Sequence, residues 1–167
     1  LEWRRELHTV EELGAFRTHT RSLSIGRQAP APIQTAEITA AAFGAAHASP
    51  LLGRALLASD EIVGAPAVIV LGFEVWQRSL GGRSDIVGSI VTLGGTPVTV
   101  VGVMSEGFGY PFNHHAWTPL ILRDSYAALE GDAIAVIGRL APGISPEQAR
   151  ATGWTFGLVA VRNGTPR

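Results

Sequence analysis

Hydrophobic and polar positions follow different periods in different parts of the chain. In the first 16 residues an apolar side chain recurs every three or four positions, with Glu and Arg between. This spacing predicts an amphipathic helix over residues 1–16. The apolar residues of its face are Trp3, Leu7, Val10, Leu13 and Phe16. The polar segment 17–26 (RTHTRSLSIG) favours a strand, and the alternation over Ile33–Ile38 predicts a second short strand.

The middle of the chain has the clearest pattern. Residues 66–71 (PAVIVL) form a β-branched run with the length and continuity of a buried strand. Residues 73–80 then place Phe73, Trp76, Gln77 and Leu80 at helical spacing. Gly81-Gly82 supplies the left-handed residues that end such a helix.

A two-residue glycine turn follows this helix. Two β-rich runs, 87–93 and 96–103, are separated by Gly94-Gly95. This arrangement predicts a hairpin, because positive φ at both turn positions is easily adopted only by glycine. We expect residues 66–120, built around this turn, to be a structural core that carries no active site.

The remaining segments are shorter and are assigned from local composition. Helices are expected at Ala40–Ala46 and from Ser145, which is placed to cap a helix, to about Val159. Loops are expected around Pro50, Gly53 and Arg54, at Ser105–Asn113, and at Pro142-Gly143; extended segments are expected at Ala116–Leu120 and Ala133–Leu140.

Composition narrows the class of protein. The 167 residues are 46% hydrophobic and 16% charged, with a net charge of −1, which indicates one folded domain and argues against nucleic acid as a partner. The absence of cysteine excludes disulfides, thiolate metal sites and cysteine nucleophiles. No apolar run reaches the ~18–20 residues of a membrane span. Because the chain opens within the predicted first helix, we expect it to be part of a longer protein.

Titratable residues give no clear catalytic pattern. His114-His115 are adjacent, and in an extended segment they would point to opposite faces. The other histidines lack the spacing of a metal site, and a solvated turn is the simpler interpretation. The acidic pairs Asp60-Glu61 and Glu130/Asp132 lie in polar segments, where solvated charge is expected. We therefore expect no catalytic residue, no cofactor and no metal.

Aromatic residues near the end of the predicted core are the candidate surface. Phe108, Tyr110, Phe112 and Trp117 would either pack against the end of a sheet or line a ligand groove. Arg54 follows a glycine and would either pair with a carboxylate or mark a partner surface.

The order of these motifs resembles a known family. The chain is similar to the MacB-like periplasmic core domain of ABC transporter permeases, and above all to a group of such permeases in soil bacteria. The motifs that carry the resemblance are Phe43 with Pro50–Arg54, Val75–Arg78, Leu80–Gly82, Val87-Gly88, Leu93–Gly95, Val100–Met104, Gly107-Phe108 with Pro111, Trp117–Leu120, and Ile137–Ala149.

The resemblance implies an α+β fold in one extracytoplasmic domain. A porter-like α/β part would be formed by both chain ends, residues 1–44 and 132–167. An inserted, mostly-β part, residues 45–131, would contain the Gly94-Gly95 hairpin.

The resemblance also implies a function. The domain would be non-catalytic, would lie at the extracytoplasmic face of the bacterial inner membrane, and would relay ATP-driven movement of the permease's membrane helices. Implied partners are those helices, a cytoplasmic ATPase acting indirectly, and a periplasmic adaptor or a second copy of the chain. Two alternatives stay open at this point: a stand-alone solute- or peptide-binding module that uses the aromatics of 108–117, and a hydrolase that uses Asp60-Glu61 with His114-His115.

Overall fold

A nine-stranded mixed sheet dominates the part of the chain that the structure, a computed structural model, describes: residues 10–26, 29–122, 134–145 and 160–161. Two α-helices and a short 3-10 helix accompany it. The strands are β1 (Val10–Ser24), β2 (Ala31–Ile38), β3 (Pro50–Gly53), β4 (Val68–Leu71), β5 (Ile90–Leu93), β6 (Thr96–Met104), β7 (Ala116–Pro119), β8 (Ile134–Leu140) and β9 (Ala160–Val161). The helices are α1 (Ala40–Gly44), the 3-10 helix Ala58–Glu61, and α2 (Phe73–Leu80).

Six of the strands form a closed ring, in which each strand pairs with two others of the six. The pairings run from β1 to β2, β7, β4, β6 and β5, and β5 pairs again with β1. The β2–β7 and β4–β6 pairs are parallel, and the other four are antiparallel. Beyond this closed ring, β8 and β9 extend from β1, and β3 pairs with β6. Closure leaves few unpaired strand edges, which favours a rigid body.

Strand β1 is the longest element and joins the ring to its extension. It pairs with β2 over residues 16–23, with β8 over residues 10–16, and with β5 at residues 23–24. The predicted helix is therefore wrong for residues 10–16, and residues 1–9 lie outside the described part. The register with β8 shifts between Val10 and Glu12. Side chains in a strand normally alternate between its two faces, and such a shift inserts one extra residue. Apolar residues three positions apart can therefore lie on the same face of the strand there.

Two apolar clusters lie on opposite faces of the sheet. Strand β4 is buried on both faces: Ile69 and Leu71 belong to one cluster, Val68 and Val70 to the other. The first cluster also receives Val75, Trp76 and Leu80 from α2. The second contains Phe43 from α1 together with residues of β1, β2 and β7. The continuous apolar run of β4 is thus explained by burial from both sides.

Local signals in the middle of the chain match the structure. Helix α2 ends at Gly81, which is left-handed with φ of 70°. Gly94 and Gly95, with φ of 57° and 84°, connect β5 to β6. The extended segments predicted at residues 17–26, 33–38, 66–71, 116–120 and 133–140 each overlap a strand, although β1 ends at Ser24, and the alanine-rich segment at 40–46 contains α1.

Other expectations need correction or stay untested. The segment predicted as a loop at Pro50–Gly53 is strand β3, because its backbone pairs with the end of β6. The helix predicted from Ser145 to about Val159 lies outside the described residues, except for Ser145 itself. The next two residues form strand β9. The division into a porter-like part and an inserted part stays a prediction; the β1–β5 and β2–β7 pairs join strands from either side of its proposed boundary. No helix of the described ranges is both long enough and apolar enough to cross a membrane.

Gly102 in β6 marks a close backbone approach that can be tested. A Cβ at this position would lie 2.2 Å from the Arg54 carbonyl oxygen, which is backbone and unable to yield easily. We expect Gly102→Ala to lower the free energy of unfolding by about 3 kcal/mol, measured by urea denaturation.

Gly44→Ala is the matched control, because no atom lies within 4 Å of the position its Cβ would take. It should be neutral or stabilise the fold by up to about 1 kcal/mol. Equal destabilisation by both substitutions would contradict the close approach at Gly102.

Candidate functional site

The four aromatics of the candidate surface have different exposures. Trp117 is fully buried in β7, and its indole Nε1 donates to the Tyr110 carbonyl oxygen at 2.6 Å. Its ring lies 5.0 Å from that of Phe108 and 5.8 Å from that of Phe43, centroid to centroid. Phe108 and Tyr110 are half-buried, whereas Phe112 is 57% exposed. Packing is therefore the main role of this cluster.

Of the two interpretations of the aromatics, packing describes Trp117, which is buried. Its ring is enclosed by the second apolar cluster, because β7 lies between β2 and β4 in the sheet. Phe112 is the member that reaches solvent, while one edge of its ring contacts Phe16 of β1 at a centroid distance of 5.7 Å. The surface that remains is Phe112, with partial contributions from Phe108 and Tyr110.

The two adjacent histidines have separate environments. His114 is buried, and its Nε2 lies 2.9 Å from the Thr18 hydroxyl of β1. Its Nδ1 is buried without a hydrogen-bond partner. His115 is half-buried, and its Nδ1 accepts the Gln34 backbone N–H at 3.3 Å. The expected solvated turn is therefore wrong for His114, because the loop folds back against β1.

Arg54 and Asp60 form a bidentate ion pair. The two guanidinium NH groups donate to both Asp60 oxygens at 2.7 and 2.9 Å, and the Leu57 N–H donates to Oδ2 at 2.9 Å. The hydrogen bonds from Arg54 hold the pKa of Asp60 below its ordinary value, although burial acts in the opposite direction. Of the two interpretations of Arg54, carboxylate pairing is confirmed. Its side chain is still 40% exposed.

The expectation of solvated charge at Asp60-Glu61 is wrong. Asp60 is buried, and Glu61 accepts the backbone N–H of Ala40 at the start of α1. An aspartate with a lowered pKa is a poor proton donor at neutral pH. In the described contacts Asp60 is tied to Arg54 and His114 to Thr18, so the constellation of the hydrolase hypothesis is not formed by them. Glu130 and Asp132 lie outside the described residues.

A second ionic cluster was not predicted from the sequence. Glu37 of β2 is 7% exposed, and its two oxygens pair with Arg17 and Arg21 of β1. His19 Nε2 lies 3.9 Å from Glu37 Oε1 and has no hydrogen-bond partner. The signal was present in the alternation Arg17-x-His19-x-Arg21, which places three basic groups on one face of a strand. What the sequence lacked was the identity of the opposing strand.

This ionic cluster borders a cavity of about 190 Å³. Charged and hydroxyl groups contribute to its lining together with apolar side chains. The lining residues are Arg21, Glu37, Asp60, Ala65, Pro66, Ala67, Val68, Leu93, Thr96, Val98, Thr118, Pro119 and Ile121. Within the described ranges, no group of three or more His, Asp or Glu residues is arranged to hold a metal ion.

Comparison with known proteins decides the family. The family model described as "MacB-like periplasmic core domain" matches residues 1–152. The chain belongs to the MacB-like periplasmic core domain family. As a MacB-like periplasmic core domain it is an extracytoplasmic domain.

Solved structures share the fold of this MacB-like domain. The periplasmic region of MacB from Actinobacillus actinomycetemcomitans matches with a TM-score of 0.68 and 14% identity, over 90% of this chain and 67% of that one. A domain of a putative permease protein from Porphyromonas gingivalis matches with a TM-score of 0.62 and 14% identity, over 89% and 64%.

The extracellular domain of the noncanonic ABC-type transporter YknZ from Gram-positive bacteria matches with a TM-score of 0.57 and 20% identity, over 69% of this chain. The match spans 57% of the YknZ chain. No curated protein sequence matches this MacB-like domain at a significant level.

The Arg54–Asp60 pair can be tested by a double-mutant cycle. We expect Arg54→Met, Asp60→Asn and the double variant to give a coupling energy of about 1 kcal/mol in urea denaturation, a modest value because Arg54 is partly exposed. The control cycle is Arg83→Met with Asp85→Asn, a pair whose side chains are 53% and 72% exposed. That pair should show no measurable coupling. Equal coupling energies in the two cycles would contradict the expectation that Arg54 and Asp60 interact more strongly than an exposed ion pair.

The burial of His114 predicts a pH dependence of stability. Burial lowers the pKa of His114, and the neighbouring His115 lowers it further. Between this lowered pKa and the ordinary histidine value of ~6.5, the unfolded state binds more protons than the folded state. The free energy of unfolding is therefore expected to decrease as the pH falls through this window and to increase as the pH rises through it.

Thermal denaturation between pH 8 and pH 5 measures this effect. His114→Gln removes the titrating group and should flatten the profile. His47→Asn is the control, because His47 is exposed and has φ of 50°, which Asn tolerates. If His47→Asn flattens the profile and His114→Gln leaves it unchanged, the assignment to His114 is wrong.

Proposed function

We propose that this domain relays ATP-driven movement of the parent permease's membrane helices to the extracytoplasmic side, without catalysis of its own. The observation that carries the proposal is the closed ring of six paired strands. A relay needs an element that moves as one body, and a closed, hydrogen-bonded sheet deforms less than a set of separate elements. Membership of the MacB-like family supplies the setting of an ABC transporter permease.

The position of the two apolar clusters supports rigid-body movement. Because β4 is buried on both faces, the clusters are joined through the same backbone. A displacement of α2 against one face is resisted by α1 and β7 on the other, since well-packed interiors transmit strain.

A relay also needs a contact at its outer end. Phe112 is the candidate, because it is 57% exposed while its ring rests on Phe16 of β1. A partner that binds Phe112 would thus be coupled mechanically to the longest strand of the sheet. A periplasmic adaptor, a second copy of the chain and an exported molecule are the proposed classes of partner.

Distances between spin labels in the full-length permease test the relay. Labels are attached to Cys introduced at the exposed Ser59 and Ser79, in the 3-10 helix and in α2; this chain has no other Cys, and any Cys elsewhere in the permease is first replaced by Ser. We expect the distance between these two labels to stay the same with and without ATP. The distance from either label to one on a membrane helix of the permease should change when ATP binds.

The controls separate relay from internal rearrangement. An ATPase variant that cannot bind nucleotide should abolish the change between the domain and the membrane. A change between residues 59 and 79 of the same size as the change to the membrane would contradict rigid-body relay. If the reading frame that encodes this chain contains no hydrophobic helices, the proposal is also wrong.

A further inference from the structure

The cavity beside the Glu37 cluster is lined by carboxylates that already have hydrogen-bond donors and by an arginine that uses only some of its own. Its two carboxylates are already satisfied by neighbours. Glu37 receives Arg17 on one oxygen and Arg21 on the other, and Asp60 receives Arg54 on both oxygens together with the Leu57 N–H. Neither carboxylate therefore needs a cation from a ligand.

Arg21 has unused donors. A guanidinium has five N–H groups, and among the described residues Arg21 contacts Glu37 with only one of its amino groups. Its side chain is 35% exposed and lines the cavity. The hydroxyl-bearing Thr96 and Thr118 lie in the same lining. Arg21 offers only donors, and the two hydroxyls can donate as well as accept, so these groups can together serve an acceptor group on the ligand.

The Gly94-Gly95 turn lies beside Arg21. A Cβ added to Gly94 would lie 3.8 Å from Arg21 Cδ, so the arginine stem runs past the turn at a distance that leaves room for about one methyl group. The Gly94 N–H also donates to the Ser22 carbonyl oxygen at 2.8 Å, which ties the turn to β1 beside Arg21. The Arg21 side chain is already restricted by its ion pair with Glu37, so it loses less conformational entropy when a ligand binds.

We propose that this cavity binds a carboxylate group carried on a short apolar stem, with Arg21 as its anchor. Arginine binds carboxylates through two parallel hydrogen bonds. Leu93 and Val98, both of the first apolar cluster, provide apolar contacts for the stem. The volume of about 190 Å³ has room for about six water-sized groups, and it is smaller than the ~300 Å³ or more of sites for drug-sized molecules.

Two sources can supply this chemistry: a free short-chain acid, and a glutamate side chain on a peptide. The inference goes beyond the proposed relay and does not depend on it, because binding is measured on the 167-residue chain without the permease. The relay can fail while the cavity still binds its ligand, and the reverse also holds.

An NMR titration tests the proposal. The amides of Leu93, Thr96 and Val98 and the Arg21 Nε–H are followed during addition of butyrate or of the peptide acetyl-Ala-Glu-Ala-amide. We expect saturable shifts with at least one of them. Butyramide, and the peptide with Gln in place of Glu, should bind at least about tenfold more weakly, because they lack the charge that strengthens the bonds from Arg21.

Three variants locate the site. Arg21→Gln should weaken binding about tenfold or more. Arg83→Gln removes the same charge at an exposed position outside the lining and should leave binding unchanged. Ala67→Trp keeps every charge but fills the cavity from an exposed lining position, and it should abolish binding.

The outcomes are distinguishable. Saturation by butyrate alone identifies a free acid as the source, and saturation by the glutamate peptide alone identifies a peptide. The proposal is overturned if neither ligand saturates, if the neutral isosteres bind equally well, or if Ala67→Trp binds like the unmodified chain. The isosteres and Ala67→Trp decide the question even if Arg21→Gln fails to fold.

Discussion

The pairing of β1 with three other strands is the constraint on which the rest of the structure depends. One 15-residue strand hydrogen-bonds to β2 along one edge and to β8 and then β5 along the other. Its C-terminal end closes the six-strand ring, and its N-terminal half carries the extension through β8. Because unpaired backbone groups are costly when buried, loss of the pairing with β2 or with β5 would open the ring at β1, and loss of the pairing with β8 would detach the extension. The strand therefore fixes the relative positions of elements that are far apart in sequence.

The same strand sets the polar organisation of the domain. Arg17, His19 and Arg21 lie on one face of β1 opposite a buried glutamate of β2, so that two permanent cations neutralise one carboxylate. A buried ion pair contributes little net stability, because desolvation offsets its attraction, but breaking one is costly. The cluster thus favours one register of β1 against β2. It also leaves Arg21 beside a cavity, with donors that no residue of the described ranges accepts.

These features fit a domain whose role depends on how its strands and loops are positioned more than on reactive side chains. The titratable groups most altered by the fold are engaged structurally: Asp60 holds Arg54 near the end of β3, and His114 packs against β1, where burial lowers its pKa. Membership of the MacB-like periplasmic core domain family makes such a body an extracytoplasmic domain. A rigid sheet with an exposed aromatic at one loop is suited to transmitting displacement and to meeting a partner.

What the sequence by itself determined was mostly local. Strand β4, helix α2 with its glycine stop, and the connection from β5 to β6 follow from short-range preferences of β-branched residues, helical spacing and glycine. Family membership was also recognisable, because motifs along most of the chain occur in the expected order. Tertiary structure alone decided that residues 10–16 form a strand, that Pro50–Gly53 pairs with β6, and that Asp60, His114 and Trp117 are buried. Each of these outcomes depends on a partner distant in sequence, and local propensity carries no information about that partner.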